Sequence, residues 1–552
     1  MVSVLLIWIY MTITCYVLGF TMLTVVCGKR YIVKKESSFL YAGITVVTVY
    51  AQFFSIFYKV GFLANVLLLL TCLLGVILYR KQLRERLHGI RLTITPVKAG
   101  VTVLLLLLFA YGTSTGIIHY DTGLYHAQSI RWIEEYGVVP GLGNLHSRLA
   151  YNSASFCLSA LYSFAFLGGQ SFHVCAGYLA FLLAMVCAEG FRVKRIQKPR
   201  LSDPVRLMGI YYLLIIFDEM VSPASDYFMV LSVFYIIIRW LDLLWEEEKC
   251  YLPYALLCVM CVSVMTIKLS GALILLLVVK PAVMMIKEKR SKEIAGFLGL
   301  GFVTALPFFI RNVILSGWLV YPFTFIDLFD FDFKIPKGLA DYDSKEIQVY
   351  GRGFTDVTRY DEPISSWIFE WARALDGINK IFLLLAVSAL FLAVGLCIYA
   401  FLKKKKEMSD TLLVMGTLGL CFLFWLTSAP LIRYGCVYLW VFPMVVWGYV
   451  YLKWISGFDK GKLYILFLLI FGIYKAGAFA WETIGAATSE YLILQKDYEN
   501  YETIAYDLNG YTFYYPSEGD RTGYDDFPAS PVKAENIFRG ETIKDGFRDV
   551  VH

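Results

Sequence analysis

Residues 97–128 read VKAGVTVLLLLLFAYGTSTGIIHYDTGLYHAQ. An uncharged apolar run, broken off by a glycine, passes directly into a segment dense in polar side chains. The part from Ala99 to Ile117 is long enough to cross the roughly 30 Å hydrocarbon layer of a bilayer as a helix. It shows no apolar–polar alternation, which argues against a barrel strand. Inside lipid every backbone polar group must be satisfied within the protein, so such a run predicts a transmembrane helix.

The same kind of run recurs along the chain, as at Leu463–Ile470. Hydrophobic residues make up 58% of the 552 residues and charged residues only 17%, where a soluble chain carries about 25% charged residues. Mean hydropathy is +0.62. A set of soluble domains is thereby excluded. The net charge of +6 does not point to nucleic acid, because lysine and arginine concentrate in short loops between apolar runs. There they act as topology signals. The first segment, Val2–Cys27, lacks a basic leader and a small-residue cleavage site, and is read as a retained helix. Of the 12 cysteines most lie in apolar runs, and the Cys258-x-x-Cys261 pair reads as core packing.

Placing the basic clusters Lys29–Lys35, Arg80–Arg91, Arg192–Arg206, Lys287–Lys292, Lys403–Lys406 and Lys453/Lys460/Lys462 in the cytoplasm gives a consistent alternation. It predicts an all-α polytopic protein of about 14 helices. The first four cover Val2–Cys27, Phe39–Tyr58, Gly61–Tyr79 and Val97–Ile117. Others fall near 171–191, 207–221, 226–245, 252–267, 270–286, 294–316, 381–402, 411–429, 434–453 and 463–482. Residues 1–482 then form the membrane domain. Two large outer loops, 118–170 and 318–380, interrupt it, and a small extracytoplasmic tail, 483–552, follows. The parity requires Tyr151–Leu167 to enter without crossing, as a re-entrant or interfacial helix. Asp218–Asp226 and Lys268–Gly271 break apolar sequence, and such breaks at membrane depth need a covering protein wall or a watery cavity. Trp367–Leu375 is expected along the interface, where tryptophan is favoured. Tyr511, Phe513 and Tyr515 alternate as in a short strand.

The chemistry-bearing residues concentrate on the outer side. Asp121 heads the first loop, and helical spacing would place Tyr125 and Gln128 on its face with His126 slightly off it. A carboxylate at the mouth of a bundle can act as a general base if cations keep it ionised. Four of the six histidines, His119, His126, His146 and His173, fall in or beside this loop. His119, Asp121 and His126 have ligand types suited to a divalent cation, but their spacing matches no metal signature, so no metal is assigned. Arg131 and Arg148 add positive charge in the loop. Lys268, Arg311 and Arg433 lie at outer helix ends, where an ionisable group is costly and suggests function; together they would suit a phosphate or diphosphate. Asp226 supplies a second carboxylate, or an N-cap.

Taken together, Asp121-x-x-x-Tyr125-His126, Pro140-Gly-Leu-Gly-Asn144-Leu-His146, Arg311-Asn312, Ala429-Pro430-x-x-Arg433-Tyr434-Gly435 and the run Gly519–Pro531 resemble known sequences. The chain looks like the GT-C class of membrane glycosyltransferases, which use polyprenyl-phosphate sugars. More narrowly it resembles uncharacterised bacterial multi-pass proteins found with polysaccharide-biosynthesis genes. The resemblance implies a GT-C-like fold in the bacterial cytoplasmic (inner) membrane, with interfacial helices in the outer loops. It implies transfer of a sugar from a lipid-linked donor to a glycan or lipid acceptor, with inversion. Asp121 would be the base, Tyr125 and His126 would orient the acceptor, and Arg131, Arg148, Asp226, Lys268, Arg311 and Arg433 would bind substrate. Here the acidic loop follows the fourth helix, whereas many members of the class carry it after the first. The alternatives are a polymerase or ligase acting on lipid-diphosphate glycans, and a polysaccharide transporter or flippase. A transporter is expected to show internal repeats and a midplane site, and the sequence shows neither.

Overall fold

The computed structural model describes residues 1–192, 198–454, 460–535 and 537–549. Parts of the Arg192–Arg206 and Lys453–Lys462 basic regions therefore lie outside the described residues. The fold is all-α. Eleven described helical segments are long and apolar enough to cross a membrane, the make-up of a polytopic membrane protein. The expectation of about 14 crossings comprises these eleven and three shorter helices that likewise join the basic end to the loop-bearing end. Three of the expected spans are short helices, Cys175–Ala188, Ser202–Ile215 and Leu252–Ile267. At 1.5 Å per residue they run only about 21–24 Å.

These short helices pack around Ser225–Trp245, the central helix, which is buried continuously from Asp226 to Leu243. A helix apolar on every side belongs in the middle of a large bundle. By contrast the outer spans Phe62–Thr93 and Gly377–Leu402 are mostly exposed. Lipid-facing Leu and Phe side chains such as Phe391 and Leu384 form their surface.

The basic loops gather at one end of the bundle. Arg30 meets Glu293 at 3.2 Å, Lys34 meets Glu248 at 3.3 Å, Lys35 meets Glu189 at 2.6 Å and Arg86 meets Glu36 at 2.5 Å. The opposite end carries both large loops and the tail. In the first loop, Ala154–Tyr162 is a helix of 9 residues, all of them buried. It enters the bundle, with Asn65 Nδ2 donating to Leu161 O at 3.0 Å and Tyr162 OH 2.8 Å from Thr14 Oγ1. At about 14 Å it is too short to cross. In the second loop, Ile364–Ala374 buries Trp367 and Trp371 and leaves Phe369 70% exposed. The tail folds as a two-stranded antiparallel hairpin, β1 (Thr503–Leu508) and β2 (Tyr511–Pro516). Asn509 and Gly510, at φ 56° and 81°, make the two-residue turn that such a hairpin requires.

Candidate functional site at the loop-bearing end

The helix Pro96–Thr115 stops at Gly116, where the chain presses against a second turn. A Cβ on Gly116 would lie 2.2 Å from Asp218 O, so only glycine fits. Ile117 N donates to Asp218 O at 2.6 Å and His119 N to Ser222 Oγ at 2.7 Å. These bonds hold the Asp218–Asp226 turn against the start of the first loop. Asp121 and Asp226, 105 positions apart in the sequence, thereby reach one site.

Arg433 joins the two carboxylates. Its Nη2 lies 2.9 Å from Asp121 Oδ2 and its Nε 3.5 Å from Asp226 Oδ2. Lys268 Nζ contacts Asp226 Oδ1 and sits 4.0 Å above the Tyr434 ring. His119 completes the group. Its imidazole touches Arg433 Nη1, with Nδ1 at 3.2 Å, and accepts from Asp121 N at 3.1 Å. Burial and the neighbouring Arg433 guanidinium pull the His119 pKa down, which leaves the ring neutral and able to accept. For Asp121, burial favours the neutral acid. Nearby positive charge, Arg433 foremost, outweighs it and holds the carboxyl below its ordinary value. Asp121 is therefore ionised, with its side chain 21% exposed. Among the described residues no hydrogen bond reaches its second oxygen.

Two backbone breaks put the cations in place. The helix Leu252–Ile267 ends where Lys268 turns extended (φ −152°, ψ 127°), and the chain resumes as a tight 3-10 stretch, Leu269–Val278. The helix Ile432–Trp454 covers this break, with Tyr438 OH donating to Ser270 O at 3.2 Å. Arg433 lies just ahead of a kink at Gly435. There a Cβ would collide with the Trp425 indole at 2.4 Å.

Thr122–His126 forms a wide π-turn in which Ala127 N bonds back to Thr122 O. Such turns recur at functional sites. The extra residue rotates the downstream helix by about 100° relative to α spacing, and Gln128 accordingly leaves the Asp121 face. It donates to Gly523 O and Asp526 O of the tail at 3.1 and 2.8 Å. Tyr125 and His126 stay near Asp121, Tyr125 half-buried and His126 buried. His126 bonds Thr122 Oγ1 at 3.1 Å and packs on Phe156, and burial drives its pKa down to about 3. His146 and His173 are likewise pulled down by burial, to about 3 and about 4.

The remaining predicted residues divide. Arg148 lies close enough for Tyr151, Tyr125, Glu346 and Asp121 to outweigh its burial and raise its pKa; Glu346 is 3.7 Å away. Arg311 stands apart from the ion cluster. It is 2% exposed and bonds only neutral partners, Ser55 Oγ at 2.5 Å and Asn152 Oδ1 at 3.1 Å. No carboxylate pairs with it among the described residues. The next residue, Ser153, donates to Ile267 O at 2.8 Å, immediately before Lys268. Arg131 points away from the cluster and clamps the tail. It donates to Tyr524 O at 2.5 Å and stacks on Tyr524 and Phe527.

The sequence reading did not assign roles to His119, Tyr434, Ser55 or Asn152. Tyr434 carried one signal, its place beside Arg433. Ser55 had none, being one of several hydroxyls on its helix. Among the described residues no group of three His, Cys, Asp or Glu side chains is placed to hold a metal ion.

No curated protein matches the chain. A family model described as "Domain of unknown function (DUF8201)" matches residues 1–440, a span that takes in Asp121, Asp226, Lys268, Arg311 and Arg433. The chain belongs to the DUF8201 family.

Proposed function

We propose that the protein is a membrane glycosyltransferase that moves a sugar from a polyprenyl-phosphate donor to an acceptor hydroxyl on the extracytoplasmic face, in cell-envelope polysaccharide or glycolipid assembly. The observation that carries this reading is the Asp121 carboxylate. It is ionised, partly open to solvent, oriented through one oxygen by Arg433 and unengaged at the other.

A base must reach the proton it takes and must be charged before it does so. Asp121 is charged and partly open to solvent, which supports this role, and Asp226 lies beside the guanidinium that orients it. Lys268 and Arg433 are already neutralised by the two carboxylates, which leaves Arg311 as the cation suited to the donor phosphate. Its partners Ser55 and Asn152 set its direction without cancelling its charge. A guanidinium aimed at developing phosphate charge in a water-poor site stabilises the leaving group. Arg148, beside Tyr125 and Tyr151, would border the acceptor. The same cations would serve a lipid-diphosphate glycan, so a polymerase or ligase is the nearest related activity.

Profiling of lipid-linked glycans in cells with and without the gene tests the reading. A glycosyltransferase predicts a product lacking one sugar in the deletion, restored by the wild-type gene and not by Asp121→Asn. Complete glycan accumulating on its lipid carrier would instead indicate a transporter and remove Asp121 from the chemistry.

A further inference from the structure

A cavity of about 240 Å³ lies toward the basic end of the bundle, away from the Asp121 site. Its walls are the helices Glu36–Phe57, Ser225–Trp245, Leu252–Ile267 and Ser291–Ser316. Ala42, Val46, Leu257, Met260, Leu300 and Val303 are among the apolar residues that line it. It is many times the roughly 30 Å³ that a water occupies in the liquid, and a buried water needs two to four polar partners. These walls offer hydrocarbon instead. The groove reaches the outside of the bundle at Val303, which is 48% exposed.

At one end Tyr31, Ser38, Tyr235 and Arg239 face the cavity. Arg239 is 6% exposed, and its Nη1 has no hydrogen-bond partner. Its nearest carboxylate oxygen, Asp242 Oδ2, is 3.7 Å away. Asp242 is already committed to Arg206 at 2.5 Å and Ser202 at 2.7 Å. A buried guanidinium with an unfilled donor beside an apolar groove calls for an anion attached to a hydrocarbon chain. From Ser38 to Val49 along one helix the groove runs about 16 Å, about half of the roughly 30 Å hydrocarbon layer and so the depth of one leaflet.

We infer that this groove is a binding site for one anionic phospholipid of the leaflet at the basic end, with an acyl chain against Val46, Met260 and Val303 and its phosphate on Arg239. The inference stands without the glycosyltransferase reading, since the groove shares no residue with the Asp121 site.

Native mass spectrometry of the delipidated full chain, titrated with phosphatidylglycerol or with phosphatidylcholine of identical acyl chains, tests it. One phosphatidylglycerol should bind with about tenfold preference, the factor set by one charge-assisted contact. Arg239→Gln should abolish the preference, Arg239→Lys should keep most of it, and Ala42→Phe, which fills the groove, should weaken both lipids. Equal binding of the two lipids by the wild type would overturn the site. So would a preference that persists in folded Arg239→Gln. Should Arg239→Gln fail to fold, unchanged binding by Ala42→Phe overturns the proposal by itself.

Discussion

The central helix Ser225–Trp245 carries an ion cluster near each end, and the two use nearly the same parts. At the basic end Arg206 lies between Asp203 and Asp242, at 2.9 and 2.5 Å, with Ser202 Oγ 2.6 Å away. At the other end Arg433 lies between Asp121 and Asp226. The first cluster is closed, with side-chain exposures of 2%, 0% and 2% for Arg206, Asp203 and Asp242. The second leaves Asp121 and Arg433 at 21% each. Coulombic complementarity is common to both, so it cannot mark function. Unspent hydrogen-bonding capacity and access to solvent distinguish the second.

The sharpest way to break this comparison is to remove a carboxylate at each end. Asp121→Asn should lower transfer about 10²–10⁴-fold, the range for losing a general base, with the thermal unfolding midpoint nearly unchanged. Sugar transfer to acceptor, assayed in reconstituted vesicles, reads it; activity within threefold of wild type would end the catalytic role. Asp242→Ala should do the converse. It takes from the buried Arg206 one of its two carboxylates, with Asp203 still 2.9 Å away, and should cost about 3 kcal/mol, the lower end for breaking a buried pair, visible as a lower midpoint in detergent. Equal stability of the two variants would erase the distinction between the ends.

A third test concerns the bridge. Burial raises the Asp121 pKa and Arg433 overrides it, so Arg433→Met should move the acid limb of activity upward by about 1–3 pH units. An unshifted limb would show that Arg433 does not set the charge on Asp121.

The smallest effect is expected where the tail docks. Glu134 accepts from Tyr524 OH at 2.5 Å and Ser171 Oγ at 3.0 Å, and burial raises its pKa from 4.5 to about 7. A raised folded-state pKa means stability that is present below about pH 4.5 and lost as pH rises through about 7. Protection of residues 497–530 from hydrogen exchange, taken relative to the intrinsic rate at each pH, should therefore fall over that window in the wild type. The dependence should vanish in Glu134→Gln.

The helices were legible for the most part because lipid demands long uncharged runs, as at Val97–Ile117. The three short helices around Ser225–Trp245 were legible as apolar segments, and their shortness was not. Hydropathy reports apolarity, and a segment enclosed by other helices is as apolar as one facing lipid while needing less length. In the site, Asp121, Asp226, Lys268 and Arg433 were singled out as charges at helix ends, where each is expensive. Their meeting was invisible, since it depends on the bonds from Ile117 and His119 to the Asp218–Ser222 turn. Arg131 and Gln128 carried the same kind of signal as Arg148, yet the π-turn at Thr122–His126 swings their helix toward the tail.

Hydropathy and charge placement alone thus determined that this chain is an all-α polytopic protein, with its polar chemistry near Asp121 and its basic loops together. Both arise from the free energy of putting polar groups in hydrocarbon, which each residue feels locally. Only the tertiary structure decided that Arg433 spans two carboxylates, that Arg311 is left without one, and that Arg206 is sealed while Asp121 stays open. These are contacts between residues tens to hundreds of positions apart, and they depend on where each helix breaks and how it packs.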